Sequence, residues 1–105
     1  MPKPRVLNNE RYATAAITYD EVTKAYFIAD GQVFPVASAP ASIFRAAVLD
    51  LAPQWQTSST LASKDIDLVS RWWLLCELSK AGRPMKLYAG REEAERALGQ
   101  STAAR

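Results

Sequence analysis

The chain has 105 residues, of which 49% are hydrophobic and 23% are charged, as in an ordinary globular domain, which excludes the disordered class. Its net charge of +2 is too small to indicate, by itself, binding to nucleic acid or to an anionic membrane. The chain has no histidine and one cysteine, which excludes Ser-His and Cys-His catalytic pairs, an intramolecular disulfide and a structural zinc site.

The N-terminal segment, residues 1–10, contains two prolines and two asparagines and predicts a loosely held arm. It lacks the apolar run of a secretory signal peptide, and the longest apolar stretch, WWLLC, is far too short to cross a membrane. We therefore expect a cytoplasmic protein with a single α+β domain over residues 11–99 and a frayed tail over residues 100–105.

Three strands are expected in the first third of the chain. Residues 12–19, YATAAITY, are rich in β-branched and aromatic side chains. Residues 25–36 contain two β-rich runs joined by Asp30 and Gly31, a pair that suits a type I′ turn. This second segment therefore predicts a β-hairpin.

Both faces of the predicted hairpin are apolar. A two-residue turn sets Ile28 opposite Val33 and Phe27 opposite Phe34. One face then holds Tyr26, Ile28, Val33 and Pro35, and the other holds Ala25, Phe27, Ala29, Phe34 and Val36. Because neither face is polar, both need cover, and we expect the first face to contact a partner. Pro35 cannot donate a ladder hydrogen bond, which places its strand at a sheet edge or beside a bulge.

Four further elements are expected after the hairpin. They are a helix over 40–52, a helix over 64–81, a strand over 83–90 and a short helix over 91–99. Pro53 ends the first helix, Ser63 is a suitable N-cap for the second, and Gly82 is a suitable residue to follow its C-terminus.

These elements predict an α+β fold with a four-stranded, mainly antiparallel sheet in the order β-β-β-α-α-β-α. The two longer helices are expected to pack on one face of that sheet, which leaves the other face for a partner. The predicted core consists of Ile17, Phe27, Phe34, Phe44, Val48, Leu51, Val69, Trp72 and Cys76.

The second helix carries two adjacent tryptophans, Trp72 and Trp73, whose side chains point about 100° apart. Winding the segment as a helix places Trp72 near the centre of an apolar arc and Trp73 at one edge of it. Leu74 and Leu78 fall on the opposite face, so the helix is either sandwiched inside its own domain or turned toward a partner. We expect Trp72 in the core and treat Trp73, Leu74 and Leu78 as candidate partner contacts, with burial in the same chain as the alternative.

No catalytic residue, cofactor site or metal site is predicted. The four glycines stand far apart, so there is no phosphate-binding loop. Asp65 and Asp67 diverge by about 200° around a helix and do not form a convergent carboxylate pair. Cys76 lies within the apolar arc and is expected to be inert packing. We therefore expect a protein that is not an enzyme.

Two functions remain open. The first is a non-catalytic protein–protein interaction module, a small regulatory or inhibitory accessory protein that acts as a homodimer or binds a larger protein. The alternative is nucleic-acid binding through residues 71–91, whose five basic residues and one glutamate give a local charge of +4 (five minus one). The candidate contacts are Arg71, Lys80, Arg83, Lys86, Tyr88 and Arg91. A solvated basic rim beside the glutamates of the next helix would explain the same pattern without a ligand.

Overall fold

The computed structural model describes residues 17–103. In chain order, the elements are α1 (Tyr19–Val22), β1 (Tyr26–Ala29), β2 (Gln32–Pro35), α2 (Ala41–Leu51), a 3₁₀ helix (Pro53–Thr57), α3 (Ser59–Ala62), α4 (Leu68–Lys80) and α5 (Arg91–Ala103). The predicted arm over 1–10 and most of the predicted strand over 12–19 lie outside the described residues. α5 continues into the tail that was predicted to be frayed. None of the helices in the described range has the length and apolar character needed to cross a membrane.

The fold is of the α+β type, but the prediction of a four-stranded sheet is wrong, because the described sheet has only the two strands β1 and β2. At Tyr19, where a strand was predicted, the chain begins α1. The hydroxyl of Thr18 accepts a hydrogen bond from the Glu21 amide, and the Glu21 carboxylate accepts one from the Thr18 amide. This reciprocal capping starts a helix despite the β propensity of the segment.

The predicted fourth strand, residues 83–90, is reduced to a single bridge between Tyr88 and Tyr26, joined by two backbone hydrogen bonds of 2.9 Å. Met85, Leu87 and Tyr88 are all buried. The side chains of the adjacent residues Leu87 and Tyr88 are therefore both enclosed by the protein. Side-chain packing, and not a continuous ladder, therefore holds this segment, and the predicted order β-β-β-α-α-β-α is wrong.

The hairpin prediction is confirmed, including its register. Asp30 and Gly31 have φ angles of 56° and 72°, as a type I′ turn requires at both central positions. Phe27 pairs with Phe34 across the strands. In the observed ladder β2 has β1 as its hydrogen-bonded neighbour, so Pro35 lies on an edge strand, as predicted.

Helices cover both faces of the hairpin, which corrects the prediction of helices on one face. On one face the ring of Phe27 packs against Phe44 of α2 with centroids 6.1 Å apart. Tyr26 points to the opposite face, where the guanidinium of Arg91 lies 5.2 Å from its ring centroid. Arg91 is the first residue of α5, and this helix packs against both strands. The hairpin is therefore the middle layer of the domain.

α4 begins four residues later than the predicted helix over 64–81 and ends at Lys80, one residue before its predicted end. Its N-cap is Asp67, whose carboxylate accepts a hydrogen bond from the Ser70 amide, and not Ser63. After the helix, Gly82 adopts a φ of 76°, and the Arg83 amide bonds back to the carbonyl of Leu78. Glycine adopts this left-handed conformation without a steric penalty, so Gly82 terminates the helix.

The core is centred between α2, α4 and the hairpin. Four of the predicted core residues are buried, namely Ile17, Phe27, Phe44 and Val48. Four others are half-buried and pack against that core, namely Phe34, Leu51, Trp72 and Cys76. The prediction for Val69 is wrong, because its side chain is 55% exposed.

Candidate functional site

The orientation of α4 determines which residues are available to a partner. Its buried side chains are Arg71, Leu74, Leu75 and Leu78. Leu74 and Leu78 were predicted as partner contacts, but both are buried within their own chain and are not accessible to a partner. The spacing of these four residues matches one face of a helix, but the helix is apolar on two sides and its pattern does not select the inner one.

A buried arginine fixes this orientation. Arg71 is 4% exposed, and its guanidinium donates hydrogen bonds of 2.7 Å to the Ile66 carbonyl and 2.6 Å to the Val36 carbonyl. It also lies over the ring of Phe44, with Cζ 5.2 Å from the centroid. Burial lowers the pKa of Arg71, and the charge of Asp65 opposes that shift. Arg71 therefore links α4 to two other segments of its own chain, and its guanidinium is not available to contact nucleic acid.

The two adjacent tryptophans have different environments. The Trp72 indole is half-buried, donates a 2.7 Å hydrogen bond to the Ile17 carbonyl, and contacts the Tyr19 ring edge-on at 5.7 Å. Trp73, one residue later, is 52% exposed. Trp73 therefore presents a large apolar ring to solvent from the middle of a well-anchored helix.

Trp73 is part of a larger apolar region, which we call the aromatic surface. It consists of Tyr19, Val69, Trp72, Trp73 and Cys76. Val69 and Trp73 are i,i+4 neighbours on the outer face of α4, and Tyr19 joins them through its contact with Trp72. Tyr19, Val69 and Trp73 are the large hydrophobic residues that are exposed in the described part of the chain. The sequence prediction included Trp73 but missed Tyr19 and Val69, although the spacing of Val69 and Trp73 on one helix was visible.

Cys76 lies at the inner border of the aromatic surface and is half-buried. Burial raises the pKa of its thiol, and the carbonyl of Ile17, 3.7 Å from Sγ, is a weak partner. A thiol with a raised pKa is a poor nucleophile at neutral pH, so this geometry supports packing and not catalysis.

The other predicted partner contacts, on the first face of the hairpin, are not freely exposed. Tyr26, Ile28, Val33 and Pro35 are all half-buried. α5 of the same chain packs on both strands, so a partner on this face would contact α5 as well. This arrangement makes the face a less accessible surface than the outer side of α4.

An open groove of about 750 Å³ lies beside β1, between this strand, α2 and the segment around Met85. Most of the residues that line it are apolar by type, and the charged ones are Asp30, Asp50 and Lys86. These groups include no paired nucleophile and base, so the groove offers no catalytic arrangement. Within the described residues, no cluster of cysteine and acidic side chains is arranged to hold a metal ion.

The predicted nucleic-acid contacts are not presented together. Arg71 and Tyr88 are buried, whereas Lys80, Arg83, Lys86 and Arg91 are exposed. Lys80 bonds to Glu77 at 3.2 Å, and Arg91 is 3.9 Å from Glu95. The buried ring of Tyr88 is not available to stack on a base, which removes the aromatic part of the predicted pattern.

Comparisons with protein-family models, with curated proteins and with solved structures find no match to this chain.

Proposed function

We propose that this protein is a non-catalytic protein–protein interaction module that binds its partner through the aromatic surface. The observation that carries the proposal is the half-exposed side chain of Trp73 beside Val69, on a helix whose other side is fixed in the core. Tryptophan and tyrosine dominate the binding energy of many interfaces, because they bury a large area at a small cost in entropy. A small regulatory or inhibitory accessory protein fits this arrangement.

The cytoplasm is the compartment that we propose for this interaction, since a single cysteine is typical of chains that do not depend on disulfides. We propose no enzymatic activity, because a chain without histidine has few ways to provide a general base near neutral pH. Nucleic-acid binding has less support, since Arg71 and Tyr88 are buried. A salt-dependent association with a mixed-sequence oligonucleotide would support nucleic-acid binding instead.

Site-specific photo-crosslinking tests the proposal. A photoreactive phenylalanine analogue replaces Trp73 in one variant and Gln54, an exposed residue of the 3₁₀ helix, in a control variant. Both are expressed in cells of the natural source and irradiated, and the adducts are identified by mass spectrometry. We expect protein adducts at position 73 and not at position 54. Equal labelling at both positions, or no adduct at 73, would contradict the proposal.

A further inference from the structure

We infer that the partner of the aromatic surface is a second copy of this chain, bound with the two α4 helices antiparallel about a two-fold axis near Trp73. This inference rests on the proposed function and names the occupant of its surface. It follows from the order of charged and apolar residues along α4, from its length and from the position of Trp73.

The chemical groups along α4 follow one another in the order acidic, apolar, basic. The helix has 13 residues and is therefore about 20 Å long, with Trp73 near its midpoint. The exposed side chains of Asp65 and Asp67 lie at its N-terminal end. The exposed side chains of Lys80 and Arg83 lie at its C-terminal end. The apolar residues of the outer face thus belong to a helix whose two ends carry side chains of opposite charge.

The net charges of the two ends favour an antiparallel pair. The residues before the helix, 64–67, carry one lysine and two aspartates, a net charge of −1 (one minus two). The last turn and the residues after it, 77–83, carry one glutamate, one lysine and one arginine, a net charge of +1 (two minus one). An antiparallel pair places unlike ends together twice, whereas a parallel pair places like ends together.

A surface with this order is complementary to itself. An isologous interface requires a patch that matches its own copy after a rotation of 180°. The acidic–apolar–basic order of α4 meets that requirement, because the rotation exchanges its two ends and leaves Trp73 near the axis.

The size of the surface sets the expected strength of the dimer. A stable interface buries about 800 Å² on each partner, more than the outer side of a three-to-four-turn helix supplies. The dimer is therefore weak and dependent on concentration. Its stability comes mainly from burying Trp73 and Val69, and the charged ends contribute mainly to orientation.

Sedimentation velocity of the purified full-length chain over a hundredfold concentration range tests self-association. We expect a shift from monomer to dimer, and a dissociation constant that rises about tenfold or more in Trp73→Ala. Lys80→Glu should also weaken the dimer. Lys86→Glu is the matched control, since Lys86 is an exposed lysine beside the groove and not on α4, and it should change nothing. Circular dichroism establishes that each variant is folded.

Disulfide trapping tests the antiparallel orientation in a Cys76→Ser background. Asp65→Cys places a cysteine just before the N-terminus of α4, and Lys80→Cys places one at its C-terminus. The two positions are far apart along one helix, so the disulfide that forms shows which ends of the two helices meet. A mixture of the two variants should form a heterodisulfide on mild oxidation, whereas neither variant alone should form a homodisulfide. Homodisulfides without the heterodisulfide would overturn the antiparallel arrangement.

The outcomes separate this inference from the proposed function. A chain that remains monomeric throughout, or a dimer unaffected by Trp73→Ala, overturns the second copy as the partner. If photo-crosslinking at position 73 then captures a different protein, the proposed function stands without self-association. If position 73 yields no protein adduct and the chain is monomeric, both fail.

Discussion

The guanidinium of Arg71 donates a hydrogen bond of 2.6 Å to the carbonyl of Val36, 35 residues earlier in the chain. Through this bond α4 is tied to the end of the hairpin, and a second bond to the Ile66 carbonyl ties the helix to the loop before it. Since the rotation of α4 about its axis determines which residues reach solvent, Arg71 indirectly sets the position of the exposed Trp73.

Replacing Arg71 with lysine should destabilise the fold. Lysine keeps the charge but not the planar set of donors that reaches two carbonyls, so one buried carbonyl loses its partner. We expect the free energy of unfolding to fall by about 2 kcal/mol or more, measured by urea denaturation. The control Arg83→Lys, at an exposed site, should leave it unchanged. Equal stability of both variants would contradict the role assigned to Arg71.

The adjacent tryptophans allow a direct comparison. Trp72→Phe removes the indole donor to the Ile17 carbonyl together with some buried area, at a cost of about 1 to 2 kcal/mol in unfolding free energy. Trp73→Phe changes an exposed ring and should cost little. Thermal denaturation of both variants, at a concentration low enough to avoid association, measures the difference. The reverse order of stabilities would show that α4 is rotated from the position described.

The two sides of α4 should also respond differently when aliphatic side chains are shortened. Leu78 is fully buried, so Leu78→Ala should leave a cavity and lower the unfolding free energy by about 3 kcal/mol. Val69→Ala, on the outer side, should change it by no more than about 0.5 kcal/mol. Urea denaturation at a concentration low enough to avoid association measures both, and a large loss for Val69→Ala would show that Val69 is buried within its own chain.

The N-cap of α4 should produce a pH dependence of stability. The backbone hydrogen bond from Ser70 holds the pKa of Asp67 below its ordinary value of 3.8. A carboxylate with a lowered pKa in the folded state stabilises the fold above pH 3.8, and this contribution is lost as the pH falls through the folded pKa. Asp67→Asn should therefore reduce the loss of stability on acidification from pH 5 to about pH 2, measured by thermal denaturation. An identical acid profile in the variant would contradict this role.

Local features of the fold were predictable from the sequence. The Asp30-Gly31 turn and the glycine after α4 were predicted correctly, because each depends on backbone angles that few residue types adopt. The absence of histidine and the single cysteine limited the possible chemistry without any knowledge of the fold. The strand predicted up to residue 19 was wrong at its described end, where the capping of Thr18 by Glu21 outweighs β propensity.

Only the tertiary structure decided which side of α4 is exposed, and therefore which residues form the candidate site. Leu74 and Leu78 could be assigned to a partner and Val69 to the core because the helix has apolar residues on both sides. Such a helix can be rotated without an obvious loss of hydrophobic burial, so its periodicity does not determine its inner face. The choice comes from contacts distant in sequence, above all the bond from Arg71 to Val36, which satisfies a buried charge at only one rotation of the helix.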